Sequence, residues 1–433
     1  MNCPKRTAHN VISLLILTCF LLLVPALTLA QDLYLYLDSS LEMMPDEPND
    51  ELYSPGTVEQ RALWRDAVIN LLAGDPISAA EAAEPIHYTV AALIDSGRAY
   101  WLLEGAMGEE YPHWGVLVIA VNPELPHLMI QAPHSHYDFR SGQQAIRVFR
   151  RSGAVALYLN GTHRCSSTAA SPCDGTTTVC GDTSAPFRES DQAHAVNGPL
   201  QTITEEFLAF DNDMVFLQLH GFVRQEGDPH IILSNGTSFM PVGIDWVVRL
   251  RHHLALEMDT LTFKIAHINT DWDRFTGTTN TQGRLVNGST DPCDQNPSFA
   301  TGRFVHMEQS YDGLRDNEES WLRVADAVAA TFAETSVGEG RGLQLPESPL
   351  LIASSPNPFN TSTRITLTVR RLGPLQVTVF DVLGRRVATL YDGAVHPGLM
   401  NLIWQPTSVA SGRYTVRAVQ NGNMVLHSLL YLK

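Results

Sequence analysis

The sequence has no C-x-x-C pair, so it lacks the ligand spacing of the common zinc knots. After residue 30 it has no apolar run long enough to cross a bilayer. A G-x-S-x-G elbow is missing, which argues against a serine nucleophile on an α/β-hydrolase sheet. A P-loop and a dinucleotide fingerprint are missing too. Positive charge is scarce over most of the chain: residues 31–351 carry 19 Lys and Arg against 44 Asp and Glu, a net of −25. Such a surface disfavours nucleic acid as a partner, because nucleic acid needs a basic face. No internal repeat is found.

The chain has 433 residues, 44% of them hydrophobic, enough for two or three domains with a sizeable core. Residues 1–30 read as a secretory signal peptide. Lys5 and Arg6 precede the apolar run from Val11 to Val24, and Thr28-Leu29-Ala30 offers small residues for cleavage. Four cysteines follow, at 165, 173, 180 and 293. In an exported chain they predict two disulfides with three pairings open. Cys173–Cys180 would close a short loop, and Cys165–Cys293 would tie two distant ones. Residues 334–351, rich in Gly, Glu, Ser and Pro, read as a linker. Residues 352–433 carry 8 basic residues against 2 acidic ones, and this change of sign marks a separate domain.

The order of elements predicts the fold class. Residues 32–38 alternate like a strand. Thr57-Val-Glu-Gln60 is a capping box opening a helix to Leu72. Three extended runs, 86–94, 99–104 and 115–121, predict an antiparallel start to the sheet. Thereafter strands near 128–130, 154–159, 215–219, 230–233, 261–268 and 304–309 alternate with helices over 141–151, 199–210, 242–258 and 316–332. Residues 160–190 and 276–301 read as long loops. The pattern predicts a mixed sheet with helices on both faces over residues 31–333. Six short strands beyond residue 363 predict a small β-sandwich over 352–433, with Phe380, Leu383, Val387 and Trp404 in its core.

Chemistry concentrates after the apolar run Leu128-Met-Ile130. Pro133 ends regular pairing there, and His134, His136 and Asp138 follow within five residues. Loops at strand C-termini are where open α/β sheets place their ligands. Two more apolar strands end in, or carry, polar groups that a core does not need: His220 and Glu308. Catalytic zinc takes three ligands from His, Asp or Glu and keeps a place for water. The spacing makes His134, Asp138 and His220 the candidate ligands and Glu308 the candidate base. Arg164 and Arg284 are candidates for holding a substrate carboxylate. Asp191 and His194 read either as orienters of a metal ligand or as caps of the loop that follows, the latter being favoured.

The motifs Ala132-Pro-His-Ser-His-Tyr-Asp138, Gln218-Leu-His-Gly-Phe222 and Phe304-Val-His-Met-Glu-Gln309 resemble those of zinc-dependent amidohydrolases. The poly-γ-glutamate hydrolases and N-formylglutamate amidohydrolases, on a zinc-carboxypeptidase-like fold, come nearest. The resemblance implies Zn2+ held by His134, Asp138 and His220, Glu308 as base, and a peptide or small amide substrate anchored by an arginine. Two departures stand out. His136 is an alternative ligand to Asp138, and the carboxypeptidase His-x-x-Glu spacing is absent.

The tail closely resembles the C-terminal sorting domains of type IX secretion cargo, which have a FlgD-type immunoglobulin-like fold. The residues that carry this are Ser355-Pro-Asn-Pro-Phe-Asn360, Val377-Thr-Val-Phe-Asp-Val-Leu-Gly-Arg-Arg-Val387 and Ser411-Gly-Arg-Tyr414. It implies export through the periplasm to the cell surface or medium, with the outer-membrane secretion machinery as partner. The rival expectation is a non-catalytic surface binding protein on a degenerate hydrolase fold.

Overall fold

The structure is a computed structural model. It describes residues 29–30, 32–106, 112–181, 183–333, 350–369, 373–381, 385–395, 398–407, 409–420 and 423–433. The expected leader lies outside these residues except for Leu29–Ala30, and the expected linker lies outside them except for its last two positions. The chain divides into two compact units, Met1–Gly338 and Glu339–Lys433.

In the first unit, β1 (Leu29–Ala30) is followed by helix α1 (Leu33–Met43). This corrects the strand expected over 32–38. The Asp32 side chain accepts from the Tyr34 N–H and caps the helix. Leu33, Leu37 and Leu41, at four-residue spacing, are buried along one stripe. Leu/Tyr alternation over seven residues fits either period; the stripe that continues to Leu41 decides it. Helix α2 (Val58–Leu72) opens on the expected capping box, with Thr57 and Gln60 bonded in both directions. Helix α3 (Pro76–Ala83) leads into the antiparallel run β2 (Tyr88–Asp95), β3 (Arg98–Gly105) and β4 (Val116–Ala120).

The other half alternates as expected. Strand β5 (Leu125–Ala132) is followed by α4 (Ser141–Ser152), then β6 (Ala154–Leu159) and the long loop with two short strands, β7 (Thr176–Thr177) and β8 (Ala185–Pro186). Helix α5 (Pro199–Phe210), β9 (Val215–Gly221), β10 (Ile231–Ser234), α6 (Trp246–Glu257) and β11 (Phe263–Ile265) come next. Helix α6 starts later than expected because the Asp245 side chain caps it, accepting from the Val248 N–H. A further helix, α7 (Thr281–Val286), sits inside the segment expected to be loop, capped by Asn280. Strand β12 (Phe304–Gln309) and helix α8 (Glu318–Ala333) close the unit.

Ten strands form one mixed sheet in the order β1-β2-β3-β4-β6-β5-β9-β12-β10-β11. Its centre, β6-β5-β9-β12, is parallel. Helices α1, α4, α6 and α8 bury their apolar faces on one side, and α2, α3, α5 and α7 on the other. From β5 the chain moves to β6 on one side, then returns to β9 on the other. The topology therefore reverses between β5 and β9, and the ends of those strands form a crevice.

The second unit has two antiparallel sheets. One contains β13 (Leu350–Ser355), β14 (Thr363–Val369) and β17 (Gly398–Trp404). The other contains β15 (Gly373–Phe380), β16 (Arg386–Val395), β18 (Gly412–Gln420) and β19 (Asn423–Tyr431). Both contribute to one core that includes Ile365, Val377, Val379, Trp404 and Val416. Phe380 was expected in that core but is only half-buried. The pairing of β15 with β16 shifts between Val379 and Phe380, and Arg417 covers the Phe380 ring instead. Leu383 lies outside the described residues.

Two disulfides form, as expected, in one of the three pairings left open. They join Cys165 to Cys180 and Cys173 to Cys293, with Cα separations of 5.5 and 4.5 Å. Two arginines gather the partners. Arg188 donates to the carbonyls of Cys165 and Cys180. Arg284 donates to both oxygens of Asp174 and to the carbonyl of Cys293. Non-reducing peptide mapping is expected to recover these two cross-links; a 173–180 peptide would contradict the loop as folded. Leu37→Ala should destabilise the first unit by about 2–5 kcal/mol in denaturant unfolding, as removal of a buried leucine side chain does. A loss below ~0.5 kcal/mol would place Leu37 outside the core.

Candidate metal centre

Strand β5 ends at Ala132, and Pro133 turns the chain into a single helical turn. The Asp138 N–H donates to the His134 carbonyl at 3.0 Å. Residues four apart then lie one above the other, so His134 and Asp138 share a face. His136, two positions on from His134, does not. It is half-buried, its buried Nε2 has no hydrogen-bond partner, and it is absent from the cluster. The alternative ligand is thereby corrected, and the reason is helical phase.

His220 arrives from β9 across the crevice. Its Nδ1 lies 3.2 Å from His134 Nδ1, and Asp138 Oδ2 is 3.3 Å from each of these nitrogens. Ligand atoms at ~2.0–2.1 Å from a tetrahedral zinc are about 3.3–3.4 Å apart, so the triangle has the size of one tetrahedral face. The other imidazole nitrogens are taken. His134 Nε2 donates to Asp191 Oδ1 at 2.8 Å, and His220 Nε2 donates to Gln218 Oε1 at 3.2 Å. Metal-ligating histidines are typically oriented in this way. With both rings in that tautomer, three lone pairs face one another, an arrangement that favours a cation or a proton between them; Arg164 Nη1, 3.4 Å from His134 Nδ1, is the positive group beside it in the protein itself.

The electrostatics agree. Burial opposes charge on Asp138, yet His134 and His220 hold its carboxyl well below the usual range. Burial and the Arg164 charge oppose protonation of His134, but Asp191 and Asp138 outweigh them and raise its pKa. Burial pushes His220 down to about 4. Glu308 is His220's neighbour in the β9–β12 register. Burial, then the Asp138 charge, push its carboxyl up to about 8, and its Oε2 has no hydrogen-bond partner. His220, His306 and Glu308 form a second group of potential ligands. His306 Nε2 and Glu308 Oε1 are 3.9 Å apart, wider than a tetrahedral edge, so the His134–Asp138–His220 triangle fits an ion better.

A cleft of about 1030 Å³ opens over these groups. It is lined by His134, Asp138, His220 and Glu308, and also by Arg164, His194 and Arg315. Arg164 donates from both Nε and Nη2 to Asp191 Oδ2, so much of its hydrogen bonding is spent inside the protein. Arg284 is not in the cleft. It is 1% exposed, and Asp174, Asn296 and main-chain carbonyls take up its guanidinium. The expectation that Arg284 binds substrate is corrected: it staples the loop that Cys173 and Cys293 cross-link.

Asp191 holds the His134 ring and is not a cap. Its side chain caps nothing, while Oδ1 accepts from His134 and from His194 Nδ1 at 3.0 Å. Sequence reasoning missed Gln218, Asn280 and Gln282. Gln218 Oε1 accepts from Asn280 Nδ2 at 2.7 Å as well as from His220, and Gln218 Nε2 donates to Gln131 and Gln282. The available signal was a glutamine inside each apolar strand, Gln131 in β5 and Gln218 in β9, where side chains are buried on both faces.

No family model matches the sequence. No curated protein matches it either. Among solved structures, the chain is similar to the CARDB domain of the PF1109 protein from Pyrococcus furiosus, described in complex with di-metal ions. Identity there is 13%, over 22% of this chain and 95% of that one, with a TM-score of 0.16. It is also similar to an endo-β-1,4-mannanase from Thermotoga petrophila, at 11% identity over 54% and 60%, with a TM-score of 0.18. Scores that low carry no argument about fold or function.

Asp191→Asn is expected to keep all three ligands and lower zinc affinity roughly 10–100-fold in a competitive chelator titration. Unchanged affinity would mean that Asp191 serves only to neutralise Arg164.

Proposed function

We propose that the first unit is a secreted, zinc-dependent hydrolase of an amide or peptide bond in a carboxylate-bearing substrate. The observation that carries this reading is the triangle of His134 Nδ1, Asp138 Oδ2 and His220 Nδ1, with a buried acid beside it. A zinc ion bound there would supply a water of lowered pKa and a Lewis acid for the scissile carbonyl.

The chain's own residues then have distinct tasks. Asp191 and Gln218 hold the two imidazoles so that their Nδ1 lone pairs converge. Glu308 Oε2, buried and unpartnered, can accept a proton from a water in the cleft and return it to a leaving amine. Its raised pKa suits a group that must take up and release a proton near neutrality. Arg164 keeps a positive group on the cleft wall, with its Nη1 3.4 Å from His134 Nδ1.

Two disulfides favour an oxidising compartment, and no helix among the described residues is long and apolar enough to cross a membrane. With the motifs of residues 352–433, this supports export, the second unit acting as the sorting module towards the outer-membrane machinery.

Purified full-length protein is expected to carry about one zinc per chain and to lose amide hydrolysis on chelation. His220→Ala should lose the metal. Glu308→Gln should keep it and lose at least ~100-fold in kcat. Stoichiometric zinc in the His220 variant would sink the ligand assignment, and an active Glu308 variant would sink the base.

A further inference from the structure

The cleft holds a built feature that neither the ligands nor Glu308 use. Arg224 and Arg274 come from separate segments, one just after β9 and one between β11 and α7, and both line the cleft. Both are tied to Asp228, which is buried. Arg274 Nη1 donates to Asp228 Oδ1 at 2.7 Å, and Arg224 Nε donates to the Asp228 carbonyl at 3.0 Å. The Gln225 N–H takes the second carboxylate oxygen at 2.9 Å. Arg224 Nη1 meets His230 Nε2 at 3.1 Å. The Arg274 guanidinium lies 5.0 Å over the Phe275 ring, which stacks on Phe222. Both heads are therefore held in place.

One carboxylate offsets one guanidinium, so the pair retains an unmatched positive charge. Asp273 and Asp312 also line the cleft, but among the described residues no ion pair joins either of them to these arginines. Arg224 Nη2 and Arg274 Nε and Nη2 have no acceptor among those residues. A planar fork of open N–H groups matches the two oxygens of an oxyanion. Holding two like charges together is costly unless an anion joins them. Only three residues separate His220 from Arg224, so their Cα atoms are at most about 14 Å apart. One substrate can reach both.

We propose that Arg224 and Arg274 form an anion subsite that anchors a substrate's oxyanion group, a carboxylate or a phosphate, away from the metal ligands. The subsite rests on the hydrolase reading for what it serves, and it replaces Arg284 as the anchor.

The test is calorimetric titration of the full-length protein, as purified, with N-acetylglutamate α-amide and with N-acetylglutamine α-amide. The two differ by one carboxylate against an amide of the same shape. The wild type should bind the carboxylate at least tenfold more tightly. The double variant Arg224→Gln/Arg274→Gln should lose that preference, and Arg274→Lys, which keeps the charge but not the fork, should lose part of it. N-acetyl-O-phosphoserine α-amide, run in parallel, separates the two sources: arginine-dependent binding of either anion supports the subsite and says which group it takes. No preference in the wild type, or a preference that survives in a double variant with unchanged melting temperature, would overturn it. A carboxylate bound only to metal would survive in that variant. If the double variant melts early, the two single glutamine variants are compared in the same way. Turnover is not read, so an inactive protein would refute the hydrolase and leave the subsite standing, and the reverse also holds.

Discussion

Everything at the centre of this protein depends on three lone pairs being forced to face one another in a buried place. Two imidazole nitrogens and one carboxylate oxygen, 3.2–3.3 Å apart, repel unless something positive lies among them. An isolated cluster of that kind would rotate its rings apart. Here the rings cannot turn without breaking bonds on their far sides. Asp191 holds one, itself locked by Arg164, and Gln218 holds the other, itself locked by Asn280. Each of these partners is buried, where an unmade hydrogen bond costs more than in water.

The sheet makes the arrangement affordable. Four parallel strands bring their C-terminal ends to one edge, and the reversal of topology between β5 and β9 leaves a crevice there. Side chains two apart on a strand share a face. Gln218 and His220 on β9, with His306 and Glu308 on β12, thus point to one side, while Leu217, Leu219, Val305 and Met307 fill the core on the other. The polar ends of these strands interrupt a largely apolar sheet. The glutamines behind them carry the hydrogen bonding back to α5 and α7. The long loop after β6 then supplies Arg164, Asp191 and His194; one disulfide, Cys165–Cys180, closes the loop on itself, and the other, Cys173–Cys293, ties it to the rest.

Close approach is arranged as carefully as charge. A Cβ on Gly221, directly after His220, would sit 2.1 Å from Arg315 Cζ. Glycine at that point lets Arg315 lie against the end of β9 and donate to the carbonyls of Phe139 and Gln309. The glycine beside His220 thus serves packing.

Much of this could be read along the chain. Strand and helix alternation, the capping box at Thr57 and the polar residues at strand tips all follow from local rules of period, capping and burial. Those rules gave the mixed sheet and the small β-sandwich, and they singled out His134, Asp138, His220 and Glu308. They failed where one local pattern fits two periods, as at residues 32–38, or where a cap sits inside a polar stretch, as at Asn280. They could not pair the cysteines or separate Asp138 from His136, because those outcomes depend on arginine contacts between distant loops and on the phase of one helical turn. Sequence by itself determined which residues are able to ligate, and on which strands they lie. Only the tertiary structure decided which nitrogen of each ring faces the cluster, because that choice is made by Asp191 and Gln218, partners that local patterns do not point to.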